Sequence, residues 1–199
     1  MNVIKWNRVL YLLLIIAAIV SLITWLTGDM MFDVGFVFDC VANSASVISI
    51  VAASFCTYFW KCKIFKKWLV RAPNLNGRWV GKIHSDWVDE TMGKKTPEII
   101  ATLTIKQSLF KISCVLDTNE SSSNSISSNF LIDEDNQVLE LVYVYQNNPN
   151  QNIQFKSNIH IGTAKLKISS DNDGYILKGN YWTNRGTSGE MKFSCKVEK

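Results

Sequence analysis

Apolar and polar positions change rhythm near residue 73. Before it, residues 9–26 and 40–60 form two runs without a charged side chain. About 20 apolar residues in a helix cross the roughly 30 Å hydrocarbon core of a bilayer. The runs therefore predict two membrane-spanning helices, over about 9–26 and 36–60. After Pro73 apolar residues fall at every second position. Trp79, Gly81 and Ile83 open the series, followed by Ile99, Ala101, Leu103 and Ile105, and by Phe110, Ile112, Cys114 and Leu116. Ile126, Ser128, Phe130 and Ile132 come next, then Leu139, Leu141, Tyr143 and Tyr145. Ile153, Phe155, Ile159 and Ile161 run toward Ala164, Leu166 and Ile168. Leu177, Gly179, Tyr181 and Thr183 precede Met191, Phe193, Cys195 and Val197. Alternation of this kind marks half-buried strands.

Turn residues separate these strands, as in Asp133-Glu134-Asp135-Asn136, Asn147-Asn148-Pro149-Asn150, Asp171-Asn172-Asp173-Gly174 and Gly186-Thr187-Ser188-Gly189. The Ser-rich run 121–128 reads as a turn leading into a strand. About eight antiparallel strands with no convincing helix close into a barrel or a sandwich, and a small barrel can hold one small ligand. The expected division is a transmembrane hairpin over 1–71 and a ligand-sensing β domain over 72–199.

Charge refines this picture. The chain holds 21 Lys and Arg against 17 Asp and Glu, a formal net charge of +4. Residues 1–71 carry seven basic and three acidic side chains, and residues 72–199 carry 14 of each. The excess thus belongs to the membrane flanks, and the neutral β domain gives no sign of long nucleic acid as a partner. Lys5 and Arg8 precede the first run; Lys61, Lys63, Lys66, Lys67 and Arg71 follow the second; the loop between has Asp29 and Asp33 and no basic residue. Basic flanks stay cytoplasmic, so both termini and the β domain are expected in the cytoplasm. A cleaved signal peptide is disfavoured, because no small-x-small site ends the first run and a second run follows.

Ala45, Ser49 and Ala53 place small residues along one face of the second helix. Small residues let helix backbones approach closely. That face suits packing on the first helix or between chains, and the spacing alone does not separate the two.

Catalytic and metal chemistry find no support. Five cysteines form no CxxC or Cys/His cluster, so the expectation is reduced thiols. His84 and His160 lack a nearby nucleophile or carboxylate pair. No P-loop, GxGxxG or other cofactor motif is present. The expectation is a non-enzyme without cofactor or metal.

The segment 177–189 stands apart. Leu177, Gly179, Tyr181 and Thr183 share one strand face, and Arg185 joins it if the strand continues. An Arg beside Tyr and Thr hydroxyls suits a phosphate ligand whose base an aromatic ring can stack on. Tyr143 and Tyr145 form a second aromatic pair. The alternative is structural: Arg185 capping the core on Trp79, with the tyrosines as filling.

Several stretches together carry a resemblance. They are Pro73-x-Leu75-x-Gly77-x-Trp79-x-Gly81, Ile105-x-Gln107, and Leu141-x-Tyr143-x-Tyr145 with Asn147 and Pro149. His160-x-Gly162-Thr163-Ala164-x-Leu166 and Leu177-x-Gly179-x-Tyr181-x-Thr183-x-Arg185-x-Thr187-x-Gly189 complete the set. The chain resembles the membrane effectors of bacterial CBASS antiphage systems, a CD-NTase-associated, β-strand-rich family. The resemblance implies two N-terminal transmembrane helices and a small eight-stranded antiparallel β-barrel that receives a cyclic dinucleotide from a cognate nucleotidyltransferase. It further implies a homo-oligomer in the bacterial inner membrane, loss of membrane integrity and abortive infection. Tyr181, Thr183, Arg185 and Thr187 carry over as ligand candidates, with Tyr143 and Tyr145 behind them. Ala45, Ser49 and Ala53 are the assembly candidates. The competing readings are a membrane-anchored, lipocalin-like carrier of an apolar ligand and a protein-binding scaffold.

Overall fold

The computed structural model describes residues 3–27, 34–89, 94–95, 97–153, 157–171 and 174–197. It has two N-terminal apolar helices followed by a closed eight-stranded antiparallel β-barrel. Contacts divide the chain into two units, residues 2–73 and 74–199.

The first unit is built on α1 (Trp6–Thr27) and α2 (Val34–Thr57). At 1.5 Å per residue these helices are about 33 and 36 Å long. Their mean hydropathies are 2.7 and 1.8, and almost none of their side chains is buried, consistent with a membrane protein. Both helices begin a little earlier than the charge-free runs suggest. α2 stops at Thr57, where the backbone tightens into 3-10 turns at Phe59–Lys61 and Lys63–Phe65. The connecting residues with Asp29 and Asp33 lie outside the described residues.

The segments flanking the hairpin are tied together. Ile4 pairs with Val70 in an antiparallel bridge. Lys5 N donates to Leu69 O at 3.0 Å, Arg71 N to Val3 O at 2.8 Å, and Arg8 Nη1 to Trp68 O at 2.6 Å. Val3, Trp60, Leu69 and Val70 are buried there. Both open ends of the hairpin therefore meet on one side of it.

The second unit contains β1 (Gly77–Ser85), β2 (Val88–Asp89), β3 (Lys94–Lys95), β4 (Ile99–Gln107), β5 (Ile112–Thr118), β6 (Ser121–Asp133), β7 (Val138–Pro149), β8 (His160–Asp171), β9 (Gly174–Thr183) and β10 (Ser188–Val197). β2 and β3 form a separate two-stranded ribbon. The other eight make an up-and-down meander in which β10 returns to pair with β1. Closure satisfies both edges of the sheet, which an open sandwich would leave unpaired.

The interior is filled. Trp79, Leu103, Leu141, Tyr143, Leu166, Leu177 and Phe193 are at most 1 % exposed. At one end the residues before β1 fold across the barrel. Leu75 N donates to Gln107 Oε1 at 2.8 Å, Gln107 N to Asn76 Oδ1 at 2.6 Å, and Trp79 Nε1 to Leu75 O at 2.9 Å.

Several local readings change: Phe110 is exposed before β5 begins at Ile112, and Asn147, Asn148 and Pro149 belong to β7 rather than to a turn. The Ser-rich run is itself strand, since β6 starts at Ser121, and a bulge between Ser125 and Ser127 turns Ile126 outward. Ile159 and Ile161 are exposed, because Gly162, Ala164 and Leu166 set the inward parity of β8. Phe155 and the Cys195 side chain lie outside the described residues. Cys40, Cys56, Cys62 and Cys114 are free thiols.

Candidate functional site

The end of the barrel opposite Leu75 and Gln107 is polar. Here strand register brings the sequence candidates together. One inward row runs Tyr143, Ala164, Tyr181, Gly189 and Ser85 across β7, β8, β9, β10 and β1. The next row toward the mouth runs Ser125, Tyr145, Gly162 and Thr183. The middle strand thus offers only Gly162 and Ala164, walled by two tyrosines on β7 and by Tyr181 and Thr183 on β9.

The small residues are required by the rings. A Cβ on Gly162 would lie 2.5 Å from Cζ and Oη of Tyr145. A Cβ on Gly189 would meet the His84 carbonyl oxygen and lie 2.7 Å from Cε1 of Tyr181. Each mouth tyrosine therefore lies across a glycine on its neighbouring strand. Gly162→Ala should push the Tyr145 ring aside and cost about 1–3 kcal/mol, the usual range for overpacking; chemical denaturation of the full chain reads that loss. Gly162, Ala164 and Gly189 have no polar side chain to mark them in the sequence, although all three stand in the motifs that carry the resemblance.

Tyr143 is fully buried and Tyr145 nearly so, with ring centroids 5.8 Å apart. Tyr181 is half-buried and faces the mouth. Burial raises the hydroxyl pKa of all three; the neighbouring Tyr145 adds to this at Tyr143 and Tyr181 adds at Tyr145, while a hydrogen bond with Ser85 partly offsets the rise at Tyr181. Near pH 7 they are neutral hydrogen-bond donors. Deeper in the core, burial pushes the Cys114 thiol from 9.0 up to about 12, which makes it inert as a nucleophile. The sign of the linkage follows. A raised folded-state pKa gives stability that is present below the unfolded value and is lost as pH rises toward the folded one. The melting temperature should hold between pH 7 and 9, then fall as first Cys114 and then the tyrosines ionise in the unfolded chain. Each group adds up to about 1.4 kcal/mol per pH unit, and a pH series of thermal melts checks it.

Beyond Thr183 the strand does not continue, contrary to the extended reading that would carry Arg185 into the inward row. Residues 184–187 form a tight turn. Thr183 N donates to Thr187 O at 2.9 Å, Gly186 N to Thr183 O at 3.1 Å, and the hydroxyls of Thr183 and Thr187 lie 2.6 Å apart. Gly186 takes a φ of +77°, which favours glycine. Asn184 fastens the turn to β8: its N donates to Ile161 O and its Oδ1 accepts from Ile161 N. Arg185 stands exposed at the tip and its Nη1 donates to Ser157 Oγ at 2.6 Å, in the β7–β8 connection. It is not packed on Trp79, which lies toward the other end of the barrel. One row further toward the mouth than Tyr145, Ser123 Oγ donates to Asn147 Oδ1 at 2.7 Å, both buried. The mouth thus combines a cation, two paired threonine hydroxyls and neutral tyrosines, a donor-rich set suited to phosphate and hydroxyl groups.

In α2 the small-residue candidates remain apart from α1. Cys40, Ser44 and Ile48 lie on the covered side of α2, whereas Ala45, Ser49 and Ala53 are exposed. Asn43 Nδ2 reaches Thr24 Oγ1 of α1 at 3.4 Å. The Ser49 hydroxyl is satisfied within its own helix, on Ala45 O at 2.7 Å. Among the described residues no group of three or more His, Cys, Asp or Glu is placed to hold a metal.

Comparison with known proteins bears on this arrangement. The family described as "Cap15, cyclic dinucleotide receptor domain" matches residues 70–195. A CD-NTase-associated protein 15 from Staphylococcus schleiferi is 25% identical over 187 residues, covering 94% of this chain and 90% of the relative. A protein of the same description from Escherichia albertii is 29% identical over 165 residues, covering 79% and 80%.

Proposed function

The chain belongs to the Cap15 cyclic dinucleotide receptor family, a receptor and effector family, and from that premise we propose that it is an antiphage effector whose barrel mouth reads a cyclic dinucleotide. The observation that carries this reading is the convergence of Tyr181, Thr183, Arg185 and Thr187 on one rim beside the Gly162–Ala164 floor. Arg185 meets one phosphate, the Thr183–Thr187 pair offers hydroxyls to the ligand, and Tyr181 presents a stacking face. Tyr145 and Tyr143 support that floor from below. No catalytic step is involved. The ligand, made by a cognate nucleotidyltransferase, acts by differential affinity for an assembled state.

Assembly takes place in the inner membrane, with both termini in the cytoplasm. The pairing of residues 3–5 with 69–71 supports termini on the same side, and the basic flanks choose the cytoplasmic one. The exposed Ala45–Ser49–Ala53 face joins chains, and the resulting homo-oligomer disrupts membrane integrity, killing the infected cell. A phosphatase fused after Lys199 should be inactive in a bacterial host, while a fluorescent protein fused there should be bright; an active phosphatase contradicts the topology.

Binding is tested on the full chain in detergent by thermal shift against a panel of cyclic dinucleotides and fatty acids. A cyclic dinucleotide at 100 times its Kd should add about 2.7 kcal/mol of stability, and fatty acids none. Stabilisation by fatty acids alone would favour the carrier reading.

A further inference from the structure

The outer wall of the barrel carries a feature that a neutral residue count conceals. Register sets Lys167 of β8 opposite Lys178 of β9, Lys178 opposite Lys192 of β10, and Lys192 opposite Lys82 of β1. Four exposed lysines stand side by side on four neighbouring strands, spanning about 14 Å at the usual ~4.8 Å strand spacing. Like charges directly opposite one another destabilise a sheet. Carboxylates relieve only part of the repulsion. Glu98 lies 2.6 Å from Lys82, and Glu190 lies 3.9 Å from Lys178. Glu140 faces Lys167 in register, yet its Oε2 lies 3.0 Å from Lys165. Lys167 and Lys192 have no ion-pair partner among the described residues.

One end of this row opens into a groove of about 620 Å³ on the outside of β8 and β9. Glu140, Lys165, Lys167, Lys178, Asn180 and Trp182 line it, a net charge of +2. Trp182 is 48 % exposed. It shares the outward face of β9 with Lys178 and lies four residues along, about 13 Å at ~3.3 Å per residue. An aromatic face at one end, an amide between, and the unpaired Lys167 beside the loosely paired Lys178 at the other match a nucleotide from base to terminal phosphate. We infer that this groove is a second, exterior anion site that takes a nucleoside polyphosphate, its phosphates on Lys167 and Lys178 and its base on Trp182. The site is separate from the mouth, whose residues face inward or sit on the rim. Occupation would remove the lysine repulsion and stabilise the β8–β9–β10 wall.

The test uses the full chain in nanodiscs of zwitterionic lipid, with ATP as the probe. Lysine acetylation mapped by mass spectrometry should fall at Lys167 and Lys178 when ATP is added, and stay constant at Lys111 on the β4–β5 turn. The variant K167Q/K178Q should bind ATP at least about tenfold more weakly, the scale of one charge-assisted hydrogen bond, while its cyclic dinucleotide affinity stays unchanged. Without ligand it should melt no lower than the parent, because repulsion has been removed. Trp182→Ala should weaken ATP more than inorganic triphosphate. Unchanged acetylation with ATP, full ATP affinity in K167Q/K178Q, or equal losses for ATP and triphosphate in Trp182→Ala would each overturn the inference. So would protection of the same lysines by acidic-lipid nanodiscs without ATP, which would make the wall a membrane-facing surface.

Discussion

Arg185→Ala is expected to weaken cyclic dinucleotide binding by about 1.5–3 kcal/mol, roughly 10- to 150-fold, with the fold intact. The guanidinium stands at the tip of the 184–187 turn and bonds the neutral Ser157 hydroxyl. Among the described residues no carboxylate pairs with it. A phosphate is therefore the stronger partner, offering charge and two acceptor oxygens to the planar fork. Exposure keeps the cost to folding small, since the turn is held by Thr183, Thr187 and Asn184 rather than by Arg185. Arg185→Lys should fall between, keeping charge and losing the fork. Calorimetric titration of the full chain in detergent, with circular dichroism alongside, reads both variants. Unchanged affinity in a folded Arg185→Ala chain would reduce this residue to a tether for the β7–β8 connection.

The second large effect lies in the membrane half. Replacing Ser49 and Ala53 together with Leu should abolish ligand-induced crosslinking in membranes and the accompanying growth arrest. Both positions are exposed on α2, away from the side that carries Ser44. Bulk there leaves the hairpin alone but holds neighbouring backbones apart, removing the close van der Waals contact on which helix association in lipid depends. Ligand affinity should stay unchanged, because neither residue belongs to the barrel unit. Full crosslinking and arrest in the double variant at equal expression would move the assembly surface elsewhere.

Much of this architecture is legible in the chain because its physics is local. Charge-free runs of membrane length read as helices, and period-two alternation reads as strands; α1, α2 and the barrel strands follow these rules except at the Ser-rich start of β6 and the start of β8. What escaped depends on pairing partners far away in sequence. Gly162 looks like an ordinary small residue until register sets Tyr145 across it, and Gly189 until Tyr181 lies over it. Ile126 reads as core by parity, but the bulge beside it turns it outward. Arg185 reads as the end of a strand face, while the hydrogen bonds between Thr183 and Thr187 end the strand before it. A residue count declares the β domain neutral, whereas register stacks Lys167, Lys178, Lys192 and Lys82 in one row. In each case residue type was visible and spatial neighbour was not.

If the barrel mouth alone holds the cyclic dinucleotide, a photoreactive analogue crosslinked to the full chain in nanodiscs should mark that mouth when adducts are mapped by mass spectrometry. Adducts should fall within residues 181–187 and on the facing positions 157–164, and excess unmodified ligand should compete them away. Competable adducts concentrated on the outer wall around Lys165 and Lys178, or at the Leu75–Gln107 end, would contradict binding at the mouth.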